Sequence, residues 1–265
     1  MKRFYTFPLC IQLSVPANIN DSAFTDTLAL LQKQGFYGVE LNLTDFENIS
    51  PQEVLKVLRP FNLKLTMIAS GAWAKENRIS LSQQDENERR RSVSQLRNVV
   101  SYAKELGAGV ILGFAKGGAD LPANQARASF GQSISELASF SEQCSVPLLI
   151  EATNHYESSV ANTLEQAADF IDSPSLNILP DTYHMNIEES DWRASLYKYR
   201  DLYKSVHISD NNRCFPGFGA IDFRETFSLL KEINFRGVVA VEGNISKDLH
   251  SDIIRTSEYI REISY

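Results

Sequence analysis

Four short apolar runs in the second half of the chain each end on a side chain that can ligate a cation or carry a proton. LLIE ends at Glu151, NILPD at Asp181, SVH at His207 and VVAVE at Glu242. Three carboxylates and one imidazole form a mainly hard, oxygen-rich donor set. It suits Mn2+, with Mg2+ or Co2+ next, better than a thiolate-rich zinc site. Any one of these residues reads equally well as an ion pair or a cap at a strand end. Three carboxylates gathered without a cation, by contrast, are strongly unfavourable. The most informative stretch is Ser205–Phe223, SVHISDNNRCFPGFGAIDF. It reads as a short strand through His207, then a polar loop punctuated by Gly and Pro and holding Arg213, then Asp222 placed to cap a helix.

Positioning four such residues together requires strands that end side by side, and the chain supplies them. Strand signals fall within 4–14, 37–43, 63–69, 110–114, 147–153, 177–181, 205–208 and 237–242. Helix signals alternate with them. Asp21 caps FTDTLALLQKQ, which Gly35 stops; Ser50-Pro51 with Glu53 makes a capping-box start; further helices are expected over 85–106, 123–144, 159–171 and 191–203, from Asp222, and from Lys247 to the C-terminus. The strands are short, β-branched and mostly continuously apolar, as in a parallel sheet buried on both faces. Eight strict alternations in 265 residues predict an α/β fold of the single (β/α)8 TIM-barrel kind, one domain over residues 1–265. No G-x-G-x-x-G follows the first strand, so the doubly wound alternative lacks its usual support. In a TIM barrel, chemistry sits at the C-terminal ends of the strands, where Glu151, Asp181, His207 and Glu242 fall on strands five to eight.

Composition narrows the functional classes. A net charge of −7 argues against nucleic acid as partner, because phosphate neutralisation needs a basic face. No apolar run reaches the roughly 20 residues that span a bilayer, so no membrane is expected. The start MKRFYTFPLCIQLS lacks the sustained apolar region and cleavage site of a signal peptide. Cys10, Cys144 and Cys214 have no metal-like spacing, and the odd count excludes a full disulfide framework. Reduced thiols and a cytoplasmic location are expected.

With these residues in view, the chain resembles the sugar isomerase/epimerase superfamily of xylose-isomerase-like TIM barrels, and within it the ketose 3-epimerases of the tagatose/psicose (allulose) type. In that group a Glu, an Asp, a His and a Glu from strands five to eight hold one divalent metal. The matching positions are Glu151, Asp181, His207 and Glu242, and the two intervals between the last three, 26 and 35 residues, are similar to the family's. The group's D-x-x-H-M-N-x-E-E pattern matches Asp181 through Glu189, with His184 as its second element. Its Arg six residues past the strand-seven His, before P-G-x-G, matches Arg213 and Pro216–Gly219; its second Glu, six residues past the first metal Glu, matches Glu157. The likeness is specific over residues 150–243 and holds at the level of fold elsewhere.

The resemblance implies an isomerase-class enzyme of carbohydrate metabolism that works on a ketose or ketose phosphate through a cis-enediolate. It implies metal-held Glu151 and Glu242 as the two proton carriers and His184, Arg213 and Glu157 as holders of substrate oxygens. It also implies a possible homo-oligomer. An aldose–ketose isomerase, a keto-sugar or keto-inositol dehydratase and a non-catalytic sugar-binding barrel are the alternatives. A three-zinc DNA-repair nuclease on the same barrel needs more than the four histidines present. Among the remaining residues, Lys116 with Gly117 and Gly118 reads either as a cradle for a substrate phosphate or as an ordinary loop. Trp73 reads as a wall stacking on sugar or as a half-buried surface aromatic. Glu40 either reaches the substrate pocket or caps the barrel; His155 could line the cavity; His250 is expected at the surface; and Cys214 has no neighbour but Arg213 to activate it.

Overall fold

The computed structural model describes residues 5–264. Eight parallel strands alternate with helices: β1 (Leu9–Ser14), α1 (Ser22–Gln34), β2 (Gly38–Asn42), α2 (Pro51–Leu58), β3 (Lys64–Ala69), α3 (Gly71–Glu76), α4 (Glu86–Leu106), β4 (Gly109–Leu112), α5 (Ala123–Cys144), β5 (Leu148–Glu151), α6 (Leu164–Ala168), β6 (Leu176–Leu179), α7 (Thr182–Glu188), α8 (Trp192–Lys198), β7 (Ser205–Ile208), α9 (Phe223–Glu232), β8 (Val238–Val241) and α10 (Leu249–Ser264). The strand order is β6-β5-β4-β3-β2-β1-β8-β7. This is a nearly closed (β/α)8 barrel. Its seam lies between β6 and β7, where an isolated backbone bridge joins Asp181 to His207 and the His207 N–H donates to Pro180 O at 2.9 Å.

The caps read from the sequence are present. Asp21 accepts from the Ala23 N–H and Gly35 ends α1 in the left-handed region; Ser50 and Glu53 form a reciprocal capping box; Asp222 caps α9; and Asp85, at the start of the helix expected over 85–106, caps α4. The first strand, Leu9–Ser14, falls within the expected 4–14, of which Phe4 lies outside the described residues. Two expectations differ. The helix expected over 159–171 shrinks to α6, because Ala161 takes positive φ and the Asn162 amide bonds back to Thr153 O and Ser158 O. The helix expected over 191–203 stops at Lys198, and α3 and α7 are further short helices.

The core sits in two places. Most apolar side chains pack between sheet and helices. A smaller cluster of Ala69, Ile111, Leu149 and Leu179, with Met67 against it, fills the barrel interior. Strand alternation has period two, so the residue two beyond each of these faces the same way. Glu151 therefore stands above Leu149, and Asp181 above Leu179, at the C-terminal mouth. No helix among the described residues is long and apolar enough to cross a membrane.

Candidate metal centre

The barrel brings the four strand-end residues together. One donor atom from each of Glu151, Asp181, His207 and Glu242 lies within 4.8 Å of the others. Asp181 and His207 are fully buried, Glu151 is 6 % exposed and Glu242 is half-buried. The Glu151 Oε1 atom is buried without a hydrogen-bond partner. Three converging carboxylates are what a divalent cation would satisfy. The donor set thus fits such an ion.

Each side chain is held from behind. Asp181 is the N-cap of α7: Oδ1 accepts from the Tyr183 N–H at 2.8 Å, which leaves Oδ2 facing the cluster. His207 has both ring nitrogens engaged, Nδ1 2.5 Å from Glu242 Oε2 and Nε2 2.8 Å from Glu40 Oε2. Gly113, at the end of β4, gives Glu151 its room, since a Cβ there would overlap Oε2.

Arg213 closes the cluster. Its Nη1 lies 2.5 Å from Asp181 Oδ2 and its Nη2 2.8 Å from Glu242 Oε1, with the guanidinium 4.9 Å from the Tyr183 ring centroid. Its backbone holds φ +61°, a left-handed conformation costly for a residue with a Cβ. The loop over-determines it. The Arg213 N–H donates to Asp210 O, the Asn244 N–H donates to Arg213 O, and the buried Asp210 carboxylate accepts from the Asn211, Gly217, Gly219 and Ile221 amides. The P-G-x-G turn is therefore the wrapping around Asp210 that points Arg213 inward.

The charges are mutually supporting. Burial raises the Glu242 carboxyl, but Arg213 and His207 outweigh it and hold the group below the usual carboxylate range. Burial raises Asp181 too, and Arg213 and His184 bring it down. At Glu151, burial and the Glu242 charge push upward, and the imidazoles of His184 and His207 prevail. Burial disfavours a charged His207, yet Glu40 and Glu242 raise its pKa well above an ordinary histidine.

His184 and Glu157 form one arm beside the cluster. The Asn154 N–H donates to His184 Nδ1 at 3.1 Å, so the ring proton sits on Nε2, 3.6 Å from Glu151 Oε1. That gap is too long for a hydrogen bond. Glu157 is half-buried and accepts from Asn154 Nδ2 at 3.3 Å, one residue removed from the imidazole.

One expectation needs correction, and Trp73 stands apart from the cluster. Lys116 is fully buried and cannot meet a substrate phosphate at the mouth. Its ammonium turns inward to Glu151 O, to Thr153 Oγ1 at 2.9 Å and to Ala161 O at 3.3 Å, and burial lowers its pKa to about 8. Trp73, 8 % exposed, stands edge-on to Phe46 and lines a separate cavity of about 630 Å3 with Phe46, Tyr102, Gln95 and Asn98. None of the four cluster residues lines that cavity. His155 is exposed, stacked on Tyr156 and bonded to Glu188; His250 is exposed, with Nε2 3.0 Å from Thr27 Oγ1. Gly113, Asn154 and the exposed Phe114 were not singled out from sequence. Glu40, which the sequence offers as reaching the substrate pocket or capping the barrel, instead meets His207 inside the barrel.

The model of the family described as Xylose isomerase-like TIM barrel matches residues 28–263. A D-psicose 3-epimerase of Enterocloster bolteae is 36 % identical over 119 residues, 44 % of this chain and 40 % of that protein. The matched stretch thus spans about two-fifths of that relative's length. A ketose 3-epimerase of Arthrobacter globiformis is 28 % identical over 231 residues, 84 % of this chain and 78 % of that protein. The crystal structure of a 3-keto-D-glucoside 4-epimerase from E. coli superposes with a TM-score of 0.81 at 24 % identity, covering 97 % of this chain and 99 % of that one. That likeness bears on the fold.

Proposed function

The chain belongs to the xylose isomerase-like TIM-barrel family, and from that premise we propose that it is a divalent-metal-dependent sugar epimerase acting on a ketose. The observation that carries this reading is the cluster itself: four donor atoms within 4.8 Å, two of them carboxylates that flank Asp181 and His207. The ketose 3-epimerase relatives support it. Glu151, Asp181, His207 and Glu242 would hold the cation, with Mn2+ the proposed ion. Bound there, it would supply the Lewis acid that polarises the sugar carbonyl.

The chain's own residues divide the remaining work. Glu151 has a free oxygen, whereas both oxygens of Glu242 are engaged by His207 and Arg213. Two carboxylates in such different surroundings can serve as base and acid on opposite faces of one carbon. The Glu151 Oε1 atom is the one open to take a proton as the structure stands. Arg213 offers fixed positive charge to the enediolate that remains. His184 presents its Nε2–H toward the same space, steadied by Asn154 and Glu157. With Lys116 turned away from the mouth, a free ketose fits the site better than its phosphate.

The test is a panel of free and phosphorylated ketoses incubated in D2O with the Mn2+-loaded protein, then stripped of metal and read by NMR. The expected result is deuterium at C3 with growth of the C3 epimer. Label at C1 with aldose formation would make the protein an aldose–ketose isomerase, and loss of a hydroxyl would make it a dehydratase. Absence of exchange on every ketose would overturn the reading.

A further inference from the structure

We infer that Glu40 decides which nitrogen of His207 holds the cation: it takes the Nε2–H from the far side of the barrel and leaves Nδ1 as the ligand atom. The inference rests on the metal reading given above and extends it to a residue outside the four-membered set.

Glu40 comes from β2 and His207 from β7, and both are fully buried. Their side chains meet inside the barrel, Glu40 Oε2 to His207 Nε2 at 2.8 Å. The ring is therefore polar at two ends. Its Nδ1 faces the cluster, 2.5 Å from Glu242 Oε2 and 4.0 Å from Asp181 Oδ2. Its Nε2 faces away from both. A ring held on the Nε2 side by an acceptor keeps its hydrogen there and presents the Nδ1 lone pair to an ion.

Glu40 has no other visible task. Among the described residues its carboxylate has one hydrogen-bond partner, and Oε1 is buried with none. Its inward neighbours cannot replace His207. Its partner in register on β1, Gln12, makes no hydrogen bond to the carboxylate; Cys10 and Met67 offer only sulfur, and the Thr66 hydroxyl is directed to Val39 O and Cys10 Sγ. A carboxylate buried to this degree on a single donor is costly unless that donor needs it. The need supplied here is orientation and basicity: an acceptor behind a ligating imidazole fixes the ring and strengthens the nitrogen opposite. Glu40 is thus a positioning residue, acting on the ion through His207.

The experiment uses the whole protein with 15N-labelled histidine rings. Four histidines keep the spectrum readable, and Zn2+ serves as a diamagnetic probe of the site. Mn2+ affinity is measured in parallel by calorimetry on wild type, Glu40→Gln, Glu40→Leu and Asp181→Asn. In wild type, the His207 ring is expected to carry its hydrogen on Nε2 with Zn2+ on Nδ1. Glu40→Leu should lose about 10- to 100-fold in Mn2+ affinity and the single tautomer with it. Glu40→Gln keeps an acceptor oxygen, so it should hold the tautomer and lose only part of the affinity. Zn2+ on Nε2 in wild type would overturn the inference without any variant. So would Glu40→Leu and Glu40→Gln binding Mn2+ as wild type does while Asp181→Asn loses it. If wild type binds neither ion, or Asp181→Asn binds as wild type does, the metal reading falls and this inference falls with it.

Discussion

Gly113 and Glu151 compete for one volume: a Cβ on Gly113 would overlap the Oε2 atom of the Glu151 carboxylate. Gly113 has φ −86° and ψ −101°, outside the regions a residue with a Cβ favours, so backbone conformation and the Glu151 contact both keep this position small. Gly113→Ala therefore crowds Glu151 and shifts the local backbone together. The carboxylate end is flexible and will swing aside, so stability should fall by no more than about 1–3 kcal/mol. Turnover should fall about 10²-fold, the usual consequence of displacing a reacting group by an ångström. Steady-state kinetics and thermal unfolding of the variant check both halves, and unchanged turnover would remove Glu151 from the reaction.

Lys116 links pH to stability in the opposite sense from most lysines. Burial depresses its folded pKa from 10.5 to about 8. Between those two values the unfolded chain binds more protons at this site than the folded one, so stability rises with pH across the window. The penalty is fully present below pH 8 and is relieved by pH 10.5. Its full size is on the order of 3 kcal/mol, at about 1.4 kcal/mol per unit. Chemical denaturation of wild type and Lys116→Met from pH 7 to 10.5 should show the difference between them growing in favour of wild type. A difference that stays flat would mean that Lys116 titrates normally.

Much of this architecture could be read from the chain because periodicity and punctuation are local. The strand ends at Glu151, Asp181, His207 and Glu242 were placed by apolar runs that stop on a charged residue, and Ser50, Asp85 and Asp222 carry the side chains that caps require. What escaped depends on long-range packing. Lys116 looks like a loop lysine until Glu151 O, Thr153 Oγ1 and Ala161 O are brought around it from β5 and the segment beyond. Trp73 reads as a wall for sugar or a half-buried surface aromatic until α3 folds and sets it edge-on to Phe46. Glu40 and His207 are 167 positions apart, and only barrel closure makes them neighbours.

Arg213 and His184 should separate substrate handling from ion binding. Arg213→Lys keeps a positive charge beside Asp181 and Glu242 but loses the planar fork that reaches both. We expect about a 10²-fold loss of turnover, the scale of one lost charge-stabilising donor, with Mn2+ affinity within a few-fold of wild type. His184→Gln should behave likewise, because Nδ1 is taken by the Asn154 amide and Nε2 stands off from Glu151. Calorimetry beside kinetics makes the distinction. A large loss of Mn2+ affinity in His184→Gln would make that residue a ligand.

The two proton carriers can be told apart by replacing each with its amide. Gln at position 151 or 242 keeps shape and an oxygen donor but cannot take up a proton at neutral pH. Inversion needs both faces of the carbon served, so either variant should abolish epimerisation. Exchange with solvent needs one face only. Glu242→Gln leaves Glu151 with its free Oε1, and slow deuterium uptake without inversion should survive there. Glu151→Gln leaves Glu242 tied to His207 and Arg213, so its residual exchange should be the smaller of the two. NMR of the ketose in D2O with each Mn2+-loaded variant, freed of metal before reading, measures both quantities. Near-normal inversion in either variant would leave that Glu an ion ligand at most, and faster exchange in Glu151→Gln than in Glu242→Gln would reverse the assignment of the open base.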